Sequence, residues 1–365
     1  MQALARPVLA PCGGVALSGC FGPGTVRIVP AVDRIVAIVN PAAGGGKAVR
    51  RFAELEPGLR ERWPRLRIDH TRHPGHATEL ARRALEDGVD VVVSVGGDGT
   101  ANEVLCGFMD EQGENRFPHA ELGLLGGGTG GDFLRQLGSP PWSAQLDAIE
   151  QPGRAIDYGV MRHCDHQGRT RVRPFLNAAS AGLTGNVVAR VLRASRLSRR
   201  VLGPKGIYAW NSVREIVARK EIQVELRADH GPPRRLGLAL AAITNGQFFG
   251  GGMWIAPMAA IDDGQLELLY TGDLSTASLL GMLSKVFSGR HLDHPKVEAQ
   301  SVRHVSLRAR NEGDVVLVEL DGEQPGRLPA ELWVVPGGMR VRVAGLPDPV
   351  SLAHGFGEVR SSSTV

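Results

Sequence analysis

Three glycine-rich runs, each closing a short apolar stretch, constrain this chain more than any other feature. Arg34–Asn40 (RIVAIVN) leads into Pro41–Gly46, Asp90–Val95 into Gly96-Gly97-Asp98-Gly99-Thr100, and Glu121–Leu125 into Gly126–Gly131. Glycine gives up more backbone freedom on folding than any other residue, so such clustering needs a local reason. Helical spacing fills the intervals: Ala48–Leu59, His76–Leu85, Thr100–Met109 and Phe133–Leu137 read as helices, and Arg65–His70 as a further strand. Regular alternation of strand and helix predicts a parallel sheet covered on both faces. Ligands bind such sheets at the carboxyl ends of the strands, where all three glycine runs fall.

Beyond about residue 154 strand-like runs dominate: Arg154–Arg162, Arg171–Ala179, Ile222–Ala228, Leu236–Asn245, Gln265–Thr271, Arg303–Arg308, Asp314–Asp321 and Arg340–Ala344. Helical segments around Gly185–Ser195 and Ser275–Ser288 interrupt them. A second, largely antiparallel β domain is expected, a sandwich or a partly open barrel.

The three glycine runs differ in content. Asn40–Lys47 is not a Walker loop, because Pro41 stands where the first glycine is required and Ala48 where Ser or Thr should follow the lysine. Gly126–Gly131 satisfies a dinucleotide pattern formally, as any stretch this dense in glycine would. GGDGT is more specific. At a helix N-terminus its backbone N–H groups and the helix dipole favour an anion, and glycine lets phosphate oxygens approach. Bare phosphate would repel Asp98, so the acid points to a divalent metal managed together with a nucleotide. Asp132 follows the third run, Asp262-Asp263-Gly264 closes another glycine-rich segment, and Asp321-Gly322-Glu323 ends an alternating strand. Turn chemistry alone accounts for DDG and DGE, and for Glu323 taken by itself it is the better reading.

Composition bounds the rest. The 365 residues allow two domains, and 42% hydrophobic with 22% charged residues is a globular balance. No stretch approaches the ~20 apolar residues of a membrane span. Cys12, Cys20, Cys106 and Cys164 lack metal-ligand spacing, which fits a reduced, cytoplasmic setting. Leu17-Ser18-Gly19-Cys20 has the look of a lipoprotein processing site, but Pro11, Gly13 and Gly14 break the apolar core ahead of it. Residues 1–31 read as a disordered leader and 348–365 as a flexible tail, leaving domains at 32–155 and 156–347. Between Asp165 and Glu215 no acid occurs. That window holds Arg169, Arg171, Arg173, Arg190, Arg193, Arg196, Arg199, Arg200, Lys205 and Arg214. It is either a solvated basic face or a surface for anionic lipid headgroups at the inner membrane face. The scarcity of aromatics argues against nucleic acid.

With NPAAGGGK (40–47), VGGDGTANEV (95–104), LGLLGGGTGGDFLR (122–135), NGQFFGGGMWIAPMAAIDDGQLEL (245–268), SGRHLDHPKV (288–297) and VELDGEQPGRLPAEL (318–332) in view, the chain resembles the bacterial soluble diacylglycerol kinases, related to sphingosine kinases. The resemblance runs from Val32 to Leu346. It implies a Rossmann-like parallel α/β domain followed by a mainly antiparallel β-sandwich domain, with the active site in the cleft between them. The implied activity is ATP-dependent phosphorylation of a lipid hydroxyl. Implied ATP-site residues are Asn40, Pro41, Ala42, Ala43, Gly44, Thr71, Gly96, Gly97, Asp98, Gly99, Thr100, Ala101, Asn102 and Thr129. Glu323 would be the catalytic base, with Asp98 and Asp132 holding the catalytic Mg²⁺. A structural Mg²⁺ would take the Asp263 side chain with backbone carbonyls of Ala260 and Gln265. The partners implied are a lipid substrate and, peripherally, an anionic membrane; a homodimer stays open.

Two departures stand out. Gly131 replaces the family's usual Asn, and no proline precedes the Gly-Thr-Gly run. NAD kinases share GGDGT and form one alternative, although HPKV and DGE belong to the lipid enzymes. A catalytically silent ATP- or lipid-binding relative is the other.

Overall fold

The computed structural model describes residues 34–126, 131–193, 196–218, 222–272, 274–311 and 313–345. The expected leader and tail, and Thr129, lie outside them. The chain opens with β1 (Ile35–Val39), α1 (Lys47–Arg62), β2 (Arg67–His70), α2 (His76–Glu86), β3 (Val91–Gly96), α3 (Asp98–Phe108) and β4 (Glu121–Gly126). These four strands pair in parallel in the order β4-β3-β1-β2. The central strands β1 and β3 are buried along their whole length because both faces are covered. Ile35, Ala37, Val39, Val91, Val93 and Val95 pack with Phe52 and Leu59 of α1. Val36, Ile38 and Val92 point the other way, toward Ala77, Ala81 and Leu85 of α2 and Leu105 and Phe108 of α3. The order of connection reverses at β1, whose neighbours are β2 and β3, so the carboxyl ends of β1 and β3 flank a crevice.

Two short helices, α4 (Asp132–Gln136) and α5 (Trp142–Glu150), lead into the antiparallel part. It comprises β5 (Arg154–Cys164), β6 (Thr170–Phe175), β7 (Ala178–Gly182), α6 (Leu183–Arg193), α7 (Arg196–Ala218), β8 (Ile222–Ala228), β9 (Arg234–Leu238) and β10 (Leu240–Thr244). There follow β11 (Phe248–Phe249), β12 (Met253–Trp254), β13 (Leu266–Thr271), α8 (Thr276–Lys285), β14 (Val297–Val302), β15 (His304–Ala309), β16 (Leu317–Leu320) and β17 (Glu323–Arg342). The sandwich core lies between β7, β10, β13 and β16 on one side and β8, β15 and β17 on the other, filled by Ile243, Leu268, Val318, Leu226, Val305 and Leu332 among others.

The twenty-residue β17 joins the two halves. It pairs with β16 at its start and with β5 and β15 along its length, then ends parallel to β4 through Val341↔Leu122 and Arg342↔Gly123. At that junction Glu121 accepts from Arg340 at 2.8 Å, from Arg342, and from Gly153 N–H at 2.9 Å. Burial pushes the Glu121 carboxyl up, but the guanidiniums and the amide outweigh it and the net shift is downward.

Several strands depart from expectation. The run Arg171–Ala179 breaks between β6 and β7, and Leu236–Asn245 between β9 and β10. The Asp314–Asp321 strand shortens to β16. The expected Arg340–Ala344 strand is only the end of β17, while α5, α7 and β14 were not expected. None of the described helices is long and apolar enough to cross a membrane.

Candidate active site

The first glycine run leaves β1 through Asn40. Its Oδ1 accepts the Ala42 N–H at 3.0 Å and its Nδ2 donates to Thr100 Oγ1 at 2.9 Å, fastening the first loop to the second. Pro41, Ala42, Ala43 and Gly44 follow, and Gly44, Gly45 and Gly46 all have positive φ. Thr71 continues β2 and donates its N–H to Val39 O at 2.9 Å. Thus Asn40–Gly44, Thr71 and Gly96–Asn102 gather at the carboxyl ends of β1, β2 and β3.

Within GGDGT the glycines have different reasons to exist. A Cβ on Gly96 would lie 2.5 Å from Thr100 Oγ1, so packing forbids it. A Cβ on Gly97 or Gly99 would meet nothing within 4 Å. Their smallness is required by no neighbour in the protein, which fits a ligand's approach to the start of α3.

Asp98 accepts the N–H groups of Asp132 at 2.9 Å and Phe133 at 3.2 Å, and so caps α4. Burial drives its carboxyl upward against those amides. Asp132, 5% exposed, accepts the Gly251 N–H at 2.8 Å. Burial and then the Asp98 charge raise it to about 6. Two adjacent, mutually repelling carboxylates suit a divalent cation, since each retains lone pairs beyond its amide bonds. Gly131, the residue that departs from the family pattern, is the N-cap of α4 at φ 45°. Asn is among the few other residues that tolerate this region.

The DGE turn reaches the same place from the other half of the molecule. Asp321 accepts N–H groups from Leu176, Asn177 and Ala178 at 2.8 to 3.0 Å, and the Asn102 Nδ2 at 2.9 Å. It is a structural acceptor whose burial raises it to about 6. Glu323 faces outward and pairs with Arg173 at 2.7 Å, and Arg173 also donates to Asn102 Oδ1 at 3.1 Å. One guanidinium therefore bridges the expected base and the GGDGT helix. A cavity of about 470 Å³ opens beside it, walled by Gly75, Thr78, Glu103, Cys106, Arg173 and Glu323.

A second cavity, of about 130 Å³, lies between the β10–β13 face and helices α6, α7 and α8. Val187, Ile216, Phe249, Met253, Leu269 and Leu283 make it apolar, and Thr184, Glu319 and Gly322 mark its polar end. Glu319 accepts from Ser180 Oγ at 2.5 Å and from the Gly322 N–H at 2.7 Å, so it also holds the DGE turn. Thr184 donates to Ser180 Oγ at 2.8 Å.

The DDG turn stands apart, at the other end of β17. Asp263 accepts the Gln265 N–H at 3.0 Å, and the buried Asp157 accepts from Gly264 at 2.6 Å and Gly337 at 2.7 Å. Burial raises Asp263, and Asp157 and Asp262 repel it further. Acids crowding with Arg154 on Asp262 form a fitting environment for a hard cation, with the Ala260 and Gln265 carbonyls in the same turn.

Sequence reasoning missed Arg173, Glu319 and Asp157 as members of these sites. Arg173 was one of ten basic residues in its window, with nothing local to single it out. Glu319 alternates with core residues Val318 and Leu320 and so reads as solvent-facing, but α6 covers that face.

Residues 34–161 match the diacylglycerol kinase catalytic domain model, and residues 178–343 the YegS C-terminal NAD kinase beta sandwich-like domain. A protein of Chromohalobacter salexigens named "Probable lipid kinase YegS-like" is 35% identical over 213 residues, 58% of this chain and 63% of that one, so the match spans less than two thirds of that relative. Diacylglycerol kinases of Staphylococcus haemolyticus and Staphylococcus saprophyticus are each 28% identical, over 80% of this chain and 83% and 89% of theirs. Two solved structures from Bacillus anthracis share the fold. One superposes with a TM-score of 0.68 at 21% identity, covering 90% of this chain and 99% of that one. The other, described as a diacylglycerol kinase, gives 0.60 at 20%, covering 87% and 98%. Both family models match in order along one continuous sheet, so the chain carries a diacylglycerol kinase catalytic domain followed by a YegS C-terminal domain.

Proposed function

We propose that this protein transfers the γ-phosphate of ATP to the hydroxyl of a diacylglycerol-like lipid, with Glu323 as general base. The observation that carries this reading is the Asn102–Arg173–Glu323 bridge, which sets an outward-facing carboxylate beside the phosphate-binding helix and a cavity of substrate size. Asn40–Gly44, Thr71, Gly96–Asn102 and Thr129 form the nucleotide site in this proposal. Backbone N–H groups at the start of α3 cradle phosphate, and Gly97 and Gly99 leave room for it. Asp98 and Asp132 would hold a Mg²⁺, which when bound neutralises charge on the transferring phosphate. Glu323 accepts the lipid hydroxyl proton as the oxygen attacks phosphorus. Arg173 positions Glu323 and puts a fixed positive charge where negative charge gathers. The Asp263 turn holds a separate cation that stiffens the β domain.

The apolar cavity supports a lipid acceptor. At about 130 Å³ it is close to the ~150 Å³ that admits benzene, so it takes only part of one acyl chain. The remainder would stay in the bilayer. Trp210 and Val217 of α7 are 55% and 65% exposed, and Phe287 beyond α8 is 43% exposed; together with Arg214 they suit contact with an anionic membrane.

The test is phosphate transfer from labelled ATP into a panel of lipids in mixed micelles, with NAD as a competing acceptor. Label in a glycerolipid that Glu323→Gln abolishes is expected and names the acceptor. Label in NADP would assign the nucleotide kinase alternative, and ATP binding without transfer to any acceptor would assign the silent one.

A further inference from the structure

The loop between β2 and α2 carries a group of side chains that the phosphoryl-transfer reading leaves unused. His73, His76 and Glu79 each bring one ligand atom to within 4.8 Å of the others. The two imidazoles stack at 4.7 Å with 22° between their planes. We propose that His73, His76 and Glu79 form a binding site for a divalent transition-metal ion of the zinc class. Two nitrogens and one carboxylate oxygen are the donor set such ions favour, whereas Mg²⁺ prefers oxygen alone. With bonds of about 2.0–2.2 Å, tetrahedral zinc needs ligand atoms about 3.4 Å apart, so modest side-chain rotations close the group.

The backbone beneath it is already held. The His76 N–H donates to His73 O at 3.2 Å, Gly75 takes φ 82°, and the Glu103 carboxylate of α3 accepts from Gly75 N at 2.9 Å and Ala77 N at 3.1 Å. His73 meets Pro74 O through Nδ1 at 3.0 Å. As the donor there, Nδ1 keeps the proton, which leaves Nε2 as the lone pair in the arrangement that orients ligating histidines. His76 accepts the Arg72 N–H at Nδ1. Ligation through either of its nitrogens ends that bond, and the exposed amide turns to water at little cost. Glu79 is exposed and takes part in no ion pair among the described residues. Pro74, Gly75 and Glu79 also line the cavity that holds Glu323, so a bound ion would stand at its mouth.

The experiment is calorimetric titration of the tag-free, full-length protein with ZnCl₂ at pH 7.5, beside the His73→Ala/His76→Ala variant and a MgCl₂ control. His73 and Glu79 are exposed and His76 is half-buried, so a circular dichroism spectrum checks that the variant folds. The expected result is one zinc equivalent bound by the wild type and lost, or weakened at least tenfold, in the variant. Glu79→Gln should weaken binding less. Zinc uptake that is absent in the wild type, or equal in wild type and double variant, overturns the proposal.

Discussion

Replacing Glu319 with Gln separates that residue's charge from its shape. The side chain is 2% exposed, and its hydrogen bonds come from Ser180 Oγ and the Gly322 N–H. Burial pushes the carboxyl up to about 7, with Asp321 and Asp132 adding repulsion against those two donors. In the unfolded chain a glutamate titrates near ~4.3. Between these values the native protein holds a proton that the unfolded chain has lost, so stability falls as pH rises from about 4 to about 7. At about 1.36 kcal/mol per pH unit the gap amounts to roughly 3–4 kcal/mol. A glutamine amide keeps both contacts, accepting from Gly322 and donating to Ser180, without the charge. Thermal melts followed by circular dichroism should therefore find the variant's advantage small at pH 5 and grown to several degrees at pH 8. A melting difference that stays constant from pH 5 to pH 8 would refute the reasoning.

The three glycines of GGDGT should part company under substitution. Gly96→Ala drives a methyl into Thr100, breaks the Asn40–Thr100 link and should lower stability by about 1–3 kcal/mol in denaturant melts. Gly97→Ala and Gly99→Ala should melt like wild type yet bind ATP at least tenfold more weakly in titration; normal binding would remove the phosphate-approach argument. Arg173→Met should reduce turnover at least tenfold while leaving ATP affinity within about threefold, with Arg173→Lys recovering part of the loss. Equal effects of both substitutions on stability and rate would make Arg173 purely structural. Mg²⁺ should raise the melting temperature of the wild type more than that of Asp263→Ala, which keeps only the Asp98–Asp132 site, since an ion bound only to the native state stabilises it by mass action. An identical rise in both would place the structural cation elsewhere.

The parallel half was legible because β1 and β3 are sandwiched between helices, and two covered faces leave a run dominated by Val and Ile with no polar alternation. The breaks in the second half follow tertiary causes. The run Arg171–Ala179 is interrupted where Asp321 gathers the amides of Leu176, Asn177 and Ala178, a partner far away in sequence. The length of β17 was hidden by Pro325, Pro329 and Pro336-Gly337-Gly338, which read as breakers. In the structure the last two of these groups sit at register shifts, between Arg327 and Ala330 and between Val335 and Met339. In β14 the middle residues are exposed at a sheet edge, so it has no apolar alternation to read. Asp98, Asp132 and Glu323 were nameable through motifs, but Arg173 and Glu319 acquire meaning only when α3 and α6 pack against them.

Glu323 carries the central claim, and one preparation of Glu323→Gln tests it most directly. ATP affinity is measured by titration, and phosphate transfer to the preferred lipid is followed in the same sample. The account predicts ATP affinity within about threefold of wild type and transfer reduced by about 10²-fold or more, the usual contribution of a positioned general base. Turnover within a few-fold of wild type would contradict it, as would a loss of transfer matched by an equal loss of ATP binding.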